Sequence, residues 1–185
     1  WWNGVAAADV DHDGDMDYVV TNIGLNTKYK ASPQKPELLF AGDFDDSGRI
    51  QLVEAKYDGD TLRPRRGLSC SSTAMPFIRN KLPTFHTFAS ATLSEVYAPE
   101  KLEHSIKLSV NELNSGLLLN DGQARFDFKP LPWLAQIAPA FGVVAADVTA
   151  DGHPDIVLTH NFFGPQRETG RMNGGLGLLL AGDGK

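Results

Sequence analysis

The sequence has little cysteine, no apolar run long enough to span a membrane and no surplus of basic residues. Its single cysteine, Cys70, excludes an internal disulfide framework and a cysteine-based zinc cluster. No apolar run approaches the ~18 to 20 residues that cross a bilayer, so we expect no transmembrane segment. The 17 Lys and Arg against 23 Asp and Glu give a net charge of -6. This balance disfavours nucleic acid as a partner, because phosphate binding needs clustered cations.

A starting methionine and a charged leader before an apolar stretch are also missing, so neither a natural start nor a signal peptide is visible. The 185 residues, 42% of them hydrophobic, fit one globular domain or part of one. We therefore expect a fragment of a longer chain.

Acidic residues are concentrated in three segments: DVDHDGDMD from Asp9, DFDDSG from Asp43 and DVTADGHPD from Asp147. Each has oxygen-bearing side chains at positions 1, 3 and 5 and glycine at position 6, and the first and third add aspartate at position 9. Alternate side chains of a tight turn point inward, and the glycine lets the backbone wrap a cation. Ligands that are all oxygen suit calcium better than zinc or copper. The alternative is a polar turn that carries Asp and Gly for conformational reasons.

The middle segment also satisfies the spacing of an EF-hand, whose twelfth residue is a bidentate glutamate, here Glu54. The first and third segments have Val20 and Leu158 at that position and are not EF-hands. An EF-hand loop lies between two helices, whereas KPELLFAG and IQLVEAKYDGD, on either side of the middle segment, have β-type composition. We predict strands there.

Short apolar runs precede and follow each acidic segment: GVAAADV and DYVVTN, ELLFAGD and IQLVEA, GVVAADV and PDIVLTHN. The repeating unit is therefore strand, cation loop, strand. LLLNDGQARFDF predicts a hairpin with Asp121 and Gly122 at its turn, and LLLAGDGK repeats its beginning about 62 residues later. Repeats of ~40 to 60 residues with four short strands are typical of propeller blades, so we predict an all-β propeller segment of about three blades.

The strand pattern stops over residues 69–109, where three prolines separate segments of helical composition. We predict two or three short helices there, over 74–81, 87–97 and 99–106, as an insertion within the propeller. This insertion is either a cap over a blade edge or a face that recognises a partner. The predicted divisions are 1–68 with the first calcium-loop blades, 69–109 with the helical insertion, and 110–185 with a third-loop blade and the start of another.

Three stretches resemble FG-GAP/VCBS repeats: WWNGVAAADVDHDGDMDYVVTNIGLN, LLLNDGQARF and FGVVAADVTADGHPDIVLTHNFFG. The resemblance covers nearly the whole chain. It extends to integrin α-chain propellers and most closely to bacterial proteins similar to cartilage acidic protein and UnbV. It implies a secreted or cell-surface seven-bladed β-propeller whose inter-strand loops hold calcium.

The resemblance also implies one set of calcium ligands for each acidic segment. The first set has four carboxylates and a backbone carbonyl: Asp9, Asp11, Asp13 and Asp17, with Asp15 supplying the carbonyl. The third has three carboxylates, a carbonyl, and a threonine where the family has Asp or Asn: Asp147, Asp151, Asp155, His153 and Thr149. The middle has two carboxylates, a hydroxyl, a glutamine where the family has Asp, and a glutamate that can substitute: Asp43, Asp45, Ser47, Gln51 and Glu54. We expect Ca²⁺ in the first and third segments. A calcium site in the middle segment stays as an alternative.

Motifs of catalysis are missing. GLSCS around Ser69 fails the GxSxG pattern, and GPQRETGR lacks the Gly-Lys-Ser/Thr of a phosphate loop. The histidines have no partners at metal-ligand spacing and are interpreted as solvated loop residues: His12, His86, His104, His153 and His160. The basic run RPRRG is interpreted as a solvated loop, with an acidic partner as the alternative.

We therefore predict a secreted, cell-surface or periplasmic scaffold that is not an enzyme, with structural calcium and an unidentified protein or glycan partner. Its open strand edges are expected to be covered by the remaining blades or by neighbouring subunits. One alternative is a non-catalytic accessory domain of a secreted or periplasmic enzyme or multi-subunit complex. A second is a lectin-like, carbohydrate-binding propeller. Four aromatic residues beside the predicted strands are either part of the core or a surface that stacks sugars or binds protein: Trp1, Trp2, Phe162 and Phe163.

Overall fold

The computed structural model describes residues 1–166 and 168–184, which form a mostly β fold of 11 strands in three antiparallel sheets with a few short helices. The predicted β class is confirmed at this level. The strands are β1 Gly4–Ala8, β2 Asp17–Thr21, β3 Glu37–Gly42, β4 Gln51–Asp58, β5 Thr61–Pro64, β6 Ile106–Val110, β7 Gly116–Asn120, β8 Phe126–Pro130, β9 Ala140–Ala146, β10 Asp155–His160 and β11 Leu178–Leu180. The helices are α1 Leu68–Ala74, α2 Phe77–Lys81, α3 Phe85–Ser90, α4 Leu93–Tyr97 and α5 Pro99–Glu103, and a 3₁₀ helix covers Trp133–Gln136.

The chain divides into two compact units. Unit 1 comprises Trp1–Lys30 with Leu113–Lys185, and unit 2 comprises Ala31–Glu112. Unit 2 therefore includes the middle acidic segment and its strands as well as the helices. The last residues of the predicted insertion form β6, which pairs with β3.

Unit 1 contains two sheets, with strand orders β1-β2-β7-β8 and β11-β10-β9. The hairpin predicted around Asp121 and Gly122 is confirmed, because β7 and β8 pair antiparallel on either side of it. Side chains from both sheets form the core, including Val19 of β2 and Leu158 of β10, which are fully buried. Period-two alternation in β10 leaves Val157 on the other face.

That other face of the second sheet is apolar and open. Val157 has Val144 and Leu179 as its cross-strand neighbours, and these two side chains are 53% and 49% exposed. The sheet therefore buries one apolar face within unit 1 and presents the other to solvent.

Unit 2 has one sheet, in the order β5-β4-β3-β6, with its core on the helical side. Val53 and Ala55 of β4 alternate inward and pack with helix residues such as Ile78 and Val96. Leu52 of β4 and Leu108 of β6 lie on the opposite face, where they are 65% and 56% exposed.

Five short helices replace the two or three that the sequence predicted. The predicted helix over 87–97 is interrupted because Thr92 begins a new one: its side chain accepts from the Glu95 amide at 3.2 Å, and the Thr92 amide donates to Glu95 at 2.7 Å. Pro99 occupies the first turn of α5, as predicted. Among the described residues, no helix has the length and apolarity needed to cross a membrane.

The basic run is part of the structure of unit 2 and not a solvated loop. The Arg65 guanidinium forms a two-pronged ion pair with Glu37, in which both side chains are 6% exposed. Arg66 pairs with Glu54 at 2.7 Å. Arg63 donates to the carbonyls of Ala89, Ser90 and Ala91 at the end of α3. Three cations are thus satisfied internally.

Candidate metal centre

Each acidic segment forms the loop of an antiparallel hairpin, as the predicted order of strand, loop and strand requires. The Asp9 loop (9–17) joins β1 to β2, the Asp43 loop (43–51) joins β3 to β4, and the Asp147 loop (147–155) joins β9 to β10. The EF-hand alternative for the middle segment is excluded, because strands and not helices lie on both sides of it.

The three loops share one backbone turn. The first carboxylate of each accepts a hydrogen bond from the amide of the glycine at position 6, over 3.1, 2.8 and 2.9 Å for Gly14, Gly48 and Gly152. These glycines have φ of 93°, 75° and 92°, in the left-handed region that other residues rarely adopt. The glycine is therefore required by the turn, as its spacing in the sequence indicated.

The side chain at position 9 closes each loop from the start of the following strand. Its oxygen accepts from the amide at position 2, over 3.0 Å for Asp17, 2.8 Å for Gln51 and 2.9 Å for Asp155. Asp17 and Asp155 are fully buried, and each accepts a further bond from another part of its sheet: Asn120 N of β7 at 2.8 Å, and Gly182 N, two residues after β11, at 2.9 Å. The two aspartates thus hold equivalent places in the two sheets of unit 1.

Carboxylates converge in the Asp9 loop. Ligand oxygens of Asp9, Asp11 and Asp17 lie within 4.8 Å of one another, close enough to hold one metal ion. Asp9 Oδ1 is buried and has no hydrogen-bond partner among the described residues. A buried carboxylate oxygen without a donor needs a positive charge or a proton beside it. The residues present therefore fit a cation.

The electrostatics of this cluster also favour a bound cation. Burial raises the pKa of Asp11 above its usual value; the hydrogen bond from the Asp13 amide lowers it by less, and the charges of Asp13, Asp17 and Asp9 raise it further. The ionised form of Asp11 is thus disfavoured in the folded protein, and a bound cation would relieve this unfavourable charge.

The other two predicted ligands of the Asp9 loop lie at its rim. Asp13 is exposed, and its Oδ1 accepts from the Asp15 amide at 2.9 Å. The Asp15 side chain contacts the turn at Gly122, where a Cβ atom would collide with Asp15 Oδ2. Its side chain is therefore engaged with the β7–β8 turn, which leaves the backbone carbonyl for the ligand role that the resemblance implies.

The Asp147 loop keeps the turn, and its carboxylates also accept hydrogen bonds from backbone amides. Asp147 accepts from Asp151 N at 3.1 Å as well as from the glycine, and Asp151 Oδ1 accepts from His153 N at 2.9 Å. Asp155 also accepts from Thr149 N at 2.8 Å. The hydrogen bond from Gly182, with those from Thr149 and Val148, lowers the pKa of Asp155 despite its desolvation. No three carboxylates of this loop converge as those of the Asp9 loop do, among the residues described.

Gln51 changes the chemistry of the Asp43 loop. Its Nε2 donates to Asp45 Oδ1 at 2.6 Å and to Ser47 Oγ at 3.3 Å, so an amide group stands beside the oxygens of positions 3 and 5. Hydrogen bonds from Ser47 and then Gln51 lower the pKa of Asp45. Glu54 does not join the loop, because it lies on β4 opposite Leu39 and pairs with Arg66.

A contact between two loops was not foreseen. His12 at position 4 of the Asp9 loop and His153 at position 7 of the Asp147 loop are joined by a hydrogen bond of 2.7 Å between Nε2 and Nδ1. Their rings meet edge to face, with centroids 4.8 Å apart. The sequence predicts two separate solvated side chains, since residues 141 positions apart carry no local signal of contact.

Comparison with known proteins identified no matching family model, no curated protein and no solved structure.

Proposed function

We propose that the chain is a calcium-binding segment of an FG-GAP/VCBS-type β-propeller, a scaffold without catalytic activity whose calcium is structural. The observation that carries the proposal is the Asp9 loop: three converging carboxylates around a buried Asp9 oxygen that has no donor among the described residues. Calcium is the ion proposed because every ligand offered is oxygen and the loop is an irregular hairpin turn that offers several of them.

Calcium affinity follows the number of carboxylates that a loop offers. The Asp9 loop supplies four, three of which converge, and the Asp147 loop supplies three. In the Asp43 loop the Gln51 amide stands beside two of the oxygens. We therefore rank the loops Asp9, Asp147, Asp43, and propose calcium in the first two, with the third satisfied internally by glutamine.

The propeller assignment is supported by three antiparallel sheets that each contain the same hairpin and loop. The open apolar faces at Val144 and Leu179, and at Leu52 and Leu108, suit packing against further sheets. We propose that the remaining blades, or neighbouring subunits, cover them. The outer surface then serves a protein or glycan partner, in a secreted, cell-surface or periplasmic setting where calcium is plentiful.

Calcium titration by isothermal calorimetry tests the proposal, with magnesium as the competing hard cation. Asp13→Asn, Asp151→Asn and Asp45→Asn each remove one charge from one loop and retain an acceptor for the backbone bond. Affinity is expected to fall most for Asp13→Asn and least for Asp45→Asn. A larger loss for Asp45→Asn contradicts the ranking, and absence of a calcium signal in the unmodified chain contradicts the proposed function.

A further inference from the structure

We infer that the Asp9 and Asp147 loops bind calcium cooperatively, and that the His12–His153 hydrogen bond is the link between them. This inference rests on the proposed function. The two loops belong to different sheets of unit 1, and the 2.7 Å bond joins them directly.

Each histidine occupies a place in its loop where movement of the backbone changes the ligands. His12 has φ of 60° and lies between Asp11 and Asp13, the residues at positions 3 and 5. His153 is at position 7, where the resemblance implies a carbonyl ligand, and its amide donates to Asp151 Oδ1 at 2.9 Å. A change in the backbone of one loop therefore moves its histidine ring, and that ring is hydrogen-bonded to the histidine of the other loop.

The ring pair is confined on a further side. Gly184, which follows β11, lies against both rings, so that a Cβ atom there would be 2.7 Å from His153 Nδ1 and 2.9 Å from His12 Cδ2. The same stretch supplies the Gly182 amide that Asp155 accepts at 2.9 Å. One segment thus contacts the histidine pair and the closing aspartate of the Asp147 loop together.

The sign of the coupling follows from conformational order. A cation that orders one loop also fixes its histidine, so the second loop meets a partner already in place and loses less conformational freedom when it closes. Coupling between two sites is reciprocal, so each loop raises the affinity of the other by the same factor. An exposed hydrogen bond of this kind corresponds to about a threefold change in affinity.

The experiment is a calcium chloride titration followed by NMR through the amides of Gly14 and Gly152, which report the two loops separately. His153→Phe keeps an aromatic ring for the edge contact and removes the nitrogens. It is expected to weaken calcium binding at the Asp9 loop about threefold, although His153 is outside that loop. His12→Phe is expected to weaken the Asp147 loop equally, and the double variant to do no more than either single one. His86→Phe, on the exposed surface of unit 2, is the matched control.

The outcomes separate the two proposals. If both loops bind calcium but affinities in the Phe variants match the unmodified chain, or the two losses add in the double variant, cooperativity is refuted and calcium binding stands. If neither glycine amide responds to calcium, the proposed function fails and the coupling fails with it. Circular dichroism of each variant shows that the fold is retained, and His153→Leu, which also lacks a hydrogen-bonding group, provides a second substitution if the Phe variant does not fold.

Discussion

Replacing Asp17 by asparagine should damage both the fold and the cation site. The side chain is fully buried, and its two oxygens accept from different backbone amides, Val10 N at 3.0 Å and Asn120 N at 2.8 Å. Asparagine has the same shape but offers only one acceptor atom, so one of the two amides must face an NH₂ group. A buried donor left unsatisfied costs about 1 to 3 kcal/mol of unfolding free energy.

Asp13→Asn provides the matched comparison, because its exposed side chain keeps the one bond that it makes, from Asp15 N. In excess chelator we expect Asp17→Asn to lose ~2 kcal/mol and Asp13→Asn to be unchanged within ~0.5 kcal/mol. For a chain of this size, ~2 kcal/mol corresponds to about 4 to 8 °C in Tm. At calcium 100-fold above Kd, the unmodified protein gains ~2.7 kcal/mol per occupied site, and both variants should gain less.

Thermal unfolding followed by circular dichroism measures the stability of the unmodified chain and of both variants in chelator, and the gain in stability of each when calcium is added. If Asp17→Asn is as stable as the unmodified chain in chelator, the hydrogen-bond argument is refuted. If Asp13→Asn retains the full calcium response, Asp13 is not a ligand and the site has only the three converging carboxylates.

Three further predictions concern the other loops and unit 2. Gln51→Asp should raise the calcium response of the Asp43 loop whereas Gln51→Asn, which has the same length without the charge, should not; equal calorimetric titrations would contradict this. Arg65→Met removes the two-pronged ion pair from the buried Glu37 carboxylate and should lower the unfolding free energy by about 3 to 5 kcal/mol in urea denaturation, whereas a loss below ~1 kcal/mol would show that the ion pair does not stabilise unit 2. The lowered pKa of Asp155 stabilises the fold above the unfolded value of about 3.9, and this contribution is lost as pH falls through the folded value. In chelator, stability of the unmodified chain should therefore fall more steeply with acid than that of Asp155→Asn, and parallel curves would contradict the assignment.

Local pattern was sufficient to predict the hairpins and their loops. Glycine at position 6 and aspartate at position 1 act within five residues of each other, and the bond from Gly14 N to Asp9 is a consequence of that spacing alone. The apolar runs on each side have the length and alternation of strands, so the order of strand, loop and strand was also predictable.

The pairing of distant strands was not predictable in the same way. β7 pairs with β2 and β6 with β3, and nothing in either segment specifies a partner so far away in sequence. The insertion was therefore assigned to the helices alone, although unit 2 also includes the strands before them. The sequence places Gln51 in the candidate ligand set of the middle segment, and its role as a donor to Asp45 could not be predicted because it depends on the folded geometry of the loop.

Because unit 2 lies between β2 and β7 in the sequence, β2 is synthesised well before β7, which pairs with it. Asp17 must wait for Asn120, 103 residues later, before its second hydrogen bond can form. At ~5 to 20 residues per second, the ribosome takes about 5 to 20 s to deliver that partner. During this interval the edge of β2 is unpaired, while unit 2, contiguous in sequence, can already fold. The first hairpin is therefore the part of the nascent chain most exposed to pairing with another copy. A chaperone that shields strand edges would act on β2 during this interval.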